Sequence, residues 1–239
     1  MTRLTTCLDA QAVAERAAAL IVRQLTHARE QRGIAHLALS GGTTPGATYR
    51  LLGAEPSELS ATEIWFADER CVAPDDAQSN YRLAAETLLE PADLAPARVH
   101  RMQGELGPGA GAAQYAEELR AHLPQEEGLP VLDLVVLGIG PDGHIASLFP
   151  GAETLDAPAE TPCLGVENSP KPPPERITLS LSVLRAARSC LLLATGAGKG
   201  DAVSAMLAEP SRHVPASMLR RERLSVIVDD AAAPPGPRP

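Results

Sequence analysis

Between residues 9 and 32 the apolar positions Val13, Ala17, Leu20, Ile21 and Leu25 recur at helical spacing behind Asp9, which predicts a capped amphipathic first helix. Beyond it the pattern changes to short runs with no polar alternation: Ile34 to Leu39, Ile64 to Ala67, Leu132 to Ile139, Cys190 to Ala194 and Leu224 to Val228. Runs that are apolar on both faces belong to strands covered on both sides, as in parallel sheets. Helical patterns fill the gaps at Pro45 to Leu52, Asn80 to Leu89, Gly111 to Leu123, Leu181 to Ala187 and Lys199 to Ala208. Strand and helix therefore alternate, which predicts one α/β domain of three layers, a mostly parallel sheet with helices on both faces. No repeat and no linker divides residues 1–230, so a single domain is expected there. Ser169 to Pro174 reads as an extended loop, and the proline-rich tail 231–239 (AAAPPGPRP) as disordered and too poor in hydrophobes to pack.

Composition narrows the function classes. At 239 residues and 44% hydrophobic, the chain can bury one sizeable core. A formal net charge of -9 with no basic run argues against nucleic-acid and membrane partners. No apolar stretch approaches the ~18 residues of a membrane span, and Asp9 and Glu15 stand where a signal peptide would be apolar. A cytoplasmic location is expected, with a small molecule as partner; oligomeric state is left open, a monomer being compatible. Cys7, Cys71, Cys163 and Cys190 form no CxxC pair and read as reduced core residues, so no metal site is expected. Only Lys171 and Lys199 among the 21 basic residues are lysine, which marks both as candidates for a compact ammonium with a task.

In α/β folds ligands bind beyond the carboxyl ends of the strands, so chemistry is sought there. The first strand runs into Ser40-Gly41-Gly42-Thr43-Thr44-Pro45, where glycines allow close backbone approach and a helix begins at once. Such a turn is either an ordinary connection or a phosphate cradle of free amides and threonine hydroxyls. Asp68-Glu69-Arg70 follows the second strand, as charges standing outside the core that form either a surface ion-pair turn or a polar rim for a substrate.

Gly138-Ile139-Gly140-Pro141-Asp142-Gly143 fits the dinucleotide fingerprint GxGxxG, and the fold expected is Rossmann-like in outline. The fingerprint needs a long helix behind its third glycine, however, and Phe149-Pro150-Gly151 cuts that segment short. We therefore expect no nicotinamide cofactor, and no other. Read as a catalytic loop, the segment places Asp142 and His144 two residues apart, a carboxylate able to orient a general base. Lys171 and Arg176 flank a proline run, and Lys199 follows a glycine turn; three cations at the ligand edge of an acidic protein point to phosphate capture. No GxSxG elbow and no HExxH occurs, so water attack assisted by His144 is the economical chemistry.

These pieces together, SGGTTP, WFADERCV with SNYR, LGIGPDGHIASLFPG, SPKPPPERITL and TGAGK, resemble the 6-phosphogluconolactonase family in order and content from about residue 34 to 200. The resemblance implies hydrolysis of a phosphorylated sugar lactone without a cofactor, with His144 as base and Asp142 positioning it or the substrate. It implies Arg70 and Asp68 at the reacting end, and Gly41, Gly42, Thr43, Arg176 and Lys199 at the phosphate, with Lys171 nearby. The related glucosamine-6-phosphate deaminases place a glutamate where this chain has Phe149, which sets that reaction below the lactonase. A non-catalytic sugar-phosphate sensor would keep the phosphate loops and lose the base.

Overall fold

The computed structural model describes residues 2–234. The chain runs β1 (Arg3–Cys7), α1 (Ala10–Arg32), β2 (Ala35–Leu39), α2 (Thr43–Gly53), β3 (Thr62–Phe66), β4 (Asp68–Arg70), α3 (Asn80–Ala84) and α4 (Pro108–His122). It continues through a hairpin of β5 (Gln125–Glu126) and β6 (Leu129–Pro130), then β7 (Leu134–Gly138), β8 (Cys163–Val166) and β9 (Arg176–Leu179). The last elements are α5 (Leu181–Ala186), β10 (Cys190–Ala194), α6 (Gly200–Leu207) and β11 (Leu224–Asp229).

Six strands in the order β1-β11-β10-β7-β2-β3 form a parallel sheet with helices on both faces, as the alternating pattern predicts. All five residues of β2 and of β10 are buried, which is why those runs show no polar alternation. The first helix is capped by Asp9, whose carboxylate accepts the Ala12 N–H at 2.8 Å, and ends at Gly33 with φ 77°. Among the described residues no helix is long and apolar enough to cross a membrane.

The structure departs from the sequence expectation in four places. Edge strand β1, with sequence RLTTC and a mostly exposed pattern, shows no apolar run to reveal it. A second, antiparallel sheet in the order β4-β9-β8 stands beside the first. Its strands are three or four residues long, and two of them begin with charges, so hydrophobic periodicity is silent on them. The helix expected over Asn80 to Leu89 is α-helical only to Ala84 and continues as a π-helical turn, in which the Glu90 N–H reaches the Ala85 carbonyl at 3.0 Å. Within the stretch read as too poor to pack, Ala232 is fully buried and its N–H bonds Oδ1 of Asp229 at 2.8 Å, because a small side chain needs no large cavity to pack. Residues 235–239 lie outside the described residues.

Ala67 joins the two sheets. Its N–H donates to the Leu39 carbonyl at 2.7 Å and its carbonyl accepts from Leu179 N–H at 2.8 Å, so the chain leaves the parallel sheet directly into β4. The second sheet thereby rises at the carboxyl edge of the first, and one wall of the cleft there is made of β-structure.

Candidate active site

A cleft of about 260 Å³ opens at the carboxyl ends of β2, β7 and β10, lined among others by Gly41, Gly42, Thr43, Asp68, Arg70, His144, Lys171, Arg176 and Lys199. Nine of the ten residues singled out in the sequence thus line one cavity. The tenth, Asp142, joins them through a hydrogen bond.

Residues 139–152 form no helix, so no helix dipole stands behind Gly143 to receive a pyrophosphate, as the dinucleotide fingerprint would require. The Gly140 N–H donates to the His144 carbonyl at 2.9 Å and the Gly143 N–H to the Gly140 carbonyl at 3.0 Å, folding the segment into a tight loop. Within it the Nδ1 of His144 lies 2.5 Å from Oδ1 of Asp142, and the His144 N–H approaches the same oxygen at 3.4 Å. An acceptor on Nδ1 assigns the ring proton to that nitrogen and leaves the Nε2 lone pair free. Burial pulls the His144 imidazole below its usual pKa, against the opposing pull of the Asp142 hydrogen bond, so the ring is a neutral base near pH 7. For Asp142 burial works upward, but the bonds from the His144 ring and backbone outweigh it and hold the carboxyl below its ordinary range.

A second part of the cleft has the chemistry to receive an anion. Asp9, Ser79 and Ser180 cap α1, α3 and α5 with side-chain oxygens, whereas α2, α4 and α6 follow Gly42, Gly107 and Lys199 with no side-chain cap, and of these three residues Gly42 and Lys199 line the cleft. The first-turn amides of α2 therefore face the cleft without a protein acceptor. Tyr49 fixes the approach to this turn, its hydroxyl donating to the Ser40 carbonyl at 2.9 Å and accepting the Ser40 N–H at 3.1 Å. Gly41 is obligatory for a different reason: a Cβ there would overlap the side chain of Asn80. The Lys199 ammonium donates to the Ile139 carbonyl at 2.7 Å, which leaves it two further protons, and burial lowers its pKa.

The Asp68-Glu69-Arg70 segment differs most from expectation. It is strand β4, not an exposed rim, and Asp68 and Glu69 are 4% and 3% exposed. Charges can sit there because every carboxylate oxygen accepts at least one hydrogen bond. Asp68 accepts from Asn80 Nδ2 at 3.1 Å on Oδ1 and from the Ser147 hydroxyl at 2.8 Å on Oδ2. Glu69 takes the N–H groups of Arg70, Asn80 and Tyr81, each at 2.7 Å, with the Ser79 hydroxyl at 3.0 Å, and so anchors the start of α3. Arg70 lines the cleft while its Nη1 donates to the Gln78 carbonyl at 2.6 Å.

Arg176 was expected in a loop but opens strand β9 and is 4% exposed. Its Nε and Nη2 donate to the carbonyls of Pro173, at 3.1 Å, Pro172, at 3.0 Å, and Lys171, at 3.2 Å, and only Nη1 turns toward the site, 3.5 Å from the Ser147 hydroxyl. Its guanidinium and the His144 imidazole both lie against Phe149, at 5.8 and 4.8 Å from the ring centroid. The imidazole and this cation are thus within reach of one hexose phosphate.

With this geometry in place, the chain can be compared with known proteins. A family model described as glucosamine-6-phosphate isomerases/6-phosphogluconolactonase matches residues 8–228. The chain belongs to the glucosamine-6-phosphate isomerase/6-phosphogluconolactonase family. Within this family it is 37% identical to the 6-phosphogluconolactonase of Streptomyces coelicolor over 96% of this chain and 93% of that one. It is also 37% identical to the 6-phosphogluconolactonase of Homo sapiens, over 94% and 86%. The solved 6-phosphogluconolactonase of Trypanosoma cruzi superposes with a TM-score of 0.86 at 27% identity, covering 97% of this chain and 96% of that one.

Three residues of this family member's site escaped the sequence reading. Asn80, Ser147 and Thr178 are buried polar groups that lock Asp68 and the Ser147 backbone, whose N–H donates to Thr178 Oγ1 at 3.2 Å. All three stand in segments that carry the family resemblance, but a local reading gives them no role, since their partners lie 12, 79 and 31 residues away.

Proposed function

We propose that the chain hydrolyses 6-phospho-D-glucono-1,5-lactone to 6-phosphogluconate, the lactone-opening step of the oxidative pentose phosphate pathway, in the cytoplasm and without a cofactor. The observation that supports this reading best is the meeting, in one cleft, of a neutral His144 imidazole oriented by the Asp142 carboxylate with an uncapped helix start beside Lys199. One part suits proton transfer from water and the other suits a dianion, and a phosphorylated lactone has need of both.

In this mechanism the phosphate rests on the amides of Gly42 and Thr43 with Lys199, and the Nη1 edge of Arg176 adds charge from the side. Binding there orients the ester carbonyl, which converts the attack into an effectively unimolecular event. Nε2 of His144 takes a proton from water as its oxygen adds to C1. Asp142 stabilises the imidazolium so formed, and Asp68 contributes a second negative charge facing the ring. Arg70 faces the developing oxyanion. The tetrahedral intermediate collapses by breaking the bond from C1 to the ring oxygen, and His144 returns the proton to that oxygen as it becomes a hydroxyl.

Phe149 stands 4.8 Å from the imidazole where a deaminase would need a proton-carrying group, so amino-sugar ring opening has no acid here. The test is lactone hydrolysis followed by proton release above the spontaneous rate. Saturable binding of the lactone with no turnover above background would establish the sensor reading and overturn this one.

A further inference from the structure

Lys171 takes no part in the steps above, yet its backbone is the most firmly held in the proline-rich loop. Its N–H donates to the Ser169 hydroxyl at 3.1 Å, and its carbonyl accepts from that hydroxyl at 2.8 Å and from Arg176 Nη2 at 3.2 Å. Ser169 N–H closes the loop onto the Pro174 carbonyl at 2.9 Å, and Arg176 itself is buried. A loop bonded to itself and to an interior guanidinium presents one side chain in one direction. That side chain ends 3.7 Å from Oδ2 of Asp142, the carboxylate oxygen that His144 does not use.

We propose that Lys171 is a positioning residue of the His144–Asp142 dyad and not a phosphate ligand: its ammonium, delivered by the Arg176-clamped loop, holds the outer oxygen of Asp142. A carboxylate bonded through one oxygen alone can swing about its side-chain torsion and carry that bond out of line. A cation on the second oxygen removes this freedom. It also shares the charge of Asp142, so the carboxylate stabilises the imidazolium less and the ring stays in its base form at lower pH. The groups facing the dyad are Asp68, which favours the protonated ring, Lys171, which opposes it, and Lys199, which faces Asp142 from the start of α6. The Lys171 side chain is 41% exposed, so solvent screening keeps the effect modest.

The kinetic arm of this inference rests on the lactonase reading, whereas a titration of the resting protein does not. The experiment follows the imidazole Cε1–H resonances of the wild type, Lys171→Met and Lys171→Arg against pH, with His144 assigned by its loss in His144→Gln, beside pH profiles of kcat/KM. Lys171→Met should move the His144 midpoint upward, and Lys171→Arg should leave it in place. In Lys171→Met, kcat/KM at pH 6 should fall about twofold to fivefold, with less than about a twofold change at pH 8. An unmoved His144 midpoint in Lys171→Met overturns the proposal, as does an equal shift in Lys171→Arg. A KM raised by the same factor at every pH, with the acid limb fixed, also overturns it and returns Lys171 to the phosphate. A shifted midpoint in a protein that hydrolyses no lactone would support the dyad contact and sink the lactonase reading alone.

Discussion

Replacing Gly140 by alanine separates the geometry of the dyad from its chemistry. Gly140 is not among the glycines with positive φ, so its backbone accepts an L side chain without strain. A Cβ built there, however, overlaps Nδ1 and Cε1 of His144 and Oδ1 of Asp142, the atoms of the dyad itself. Relieving that overlap to ordinary contact requires a displacement of at least about 1 Å, and misplacement on that scale costs on the order of 10²-fold in rate. That loss corresponds to about 2.7 kcal/mol of transition-state stabilisation. The Cβ meets neither the start of α2 nor the Lys199 ammonium, so KM should change less than about threefold, because ground-state binding and chemistry draw on different residues. The assay is proton release from freshly made lactone with the spontaneous rate subtracted, and with thermal unfolding recorded in parallel. A Gly140→Ala enzyme that keeps more than about a third of wild-type kcat would refute the claim that the dyad geometry sets the rate. So would a loss confined to KM.

Other outcomes follow from the same geometry. His144→Ala should lose roughly 10²- to 10⁴-fold in kcat at pH 7.5, and full activity in that variant would remove the base from the mechanism. Because burial lowers the His144 pKa, the acid limb of kcat/KM should lie below the usual imidazole value, with activity present above that limb and lost as pH falls through it; a limb above that value would contradict the neutral ring. Lys199→Ala removes a charge-assisted bond and should raise KM about tenfold or more with a smaller change in kcat, as initial rates against lactone concentration will show. Glu69→Ala strands three N–H donors, that of Asn80 buried and those of Arg70 and Tyr81 part-buried, and should lower the urea unfolding free energy by about 2 to 3 kcal/mol; a variant as stable as the wild type would show that the Glu69 bonds do not hold α3. Glucosamine 6-phosphate should yield no ammonia, measured by a coupled ammonia assay.

Much of the parallel sheet is legible in the sequence because burial on both faces leaves an unbroken apolar run, as in Leu134–Gly138 and Cys190–Ala194. The glycine-rich loop after β2 and the Asp142–His144 spacing are legible too, since both depend on residues adjacent in the chain. Edge strand β1 and the sheet of β4, β8 and β9 are not, because a short strand gains its stability from partners that a local window does not contain.

What the chain determines by itself is therefore the local part of the site: a base, its neighbouring carboxylate, a turn that frees backbone amides and a few scattered cations. Tertiary structure alone decides which of these charges are available. Asp68 and Glu69 read as a solvated rim until Asn80, Ser147 and the start of α3 are found bonded to them, and Arg176 reads as a free cation until the loop carbonyls are found on it. The physical reason is that a charge leaves water at tolerable cost only where hydrogen bonds replace its hydration, and those partners are supplied by distant strands and loops that meet only after folding.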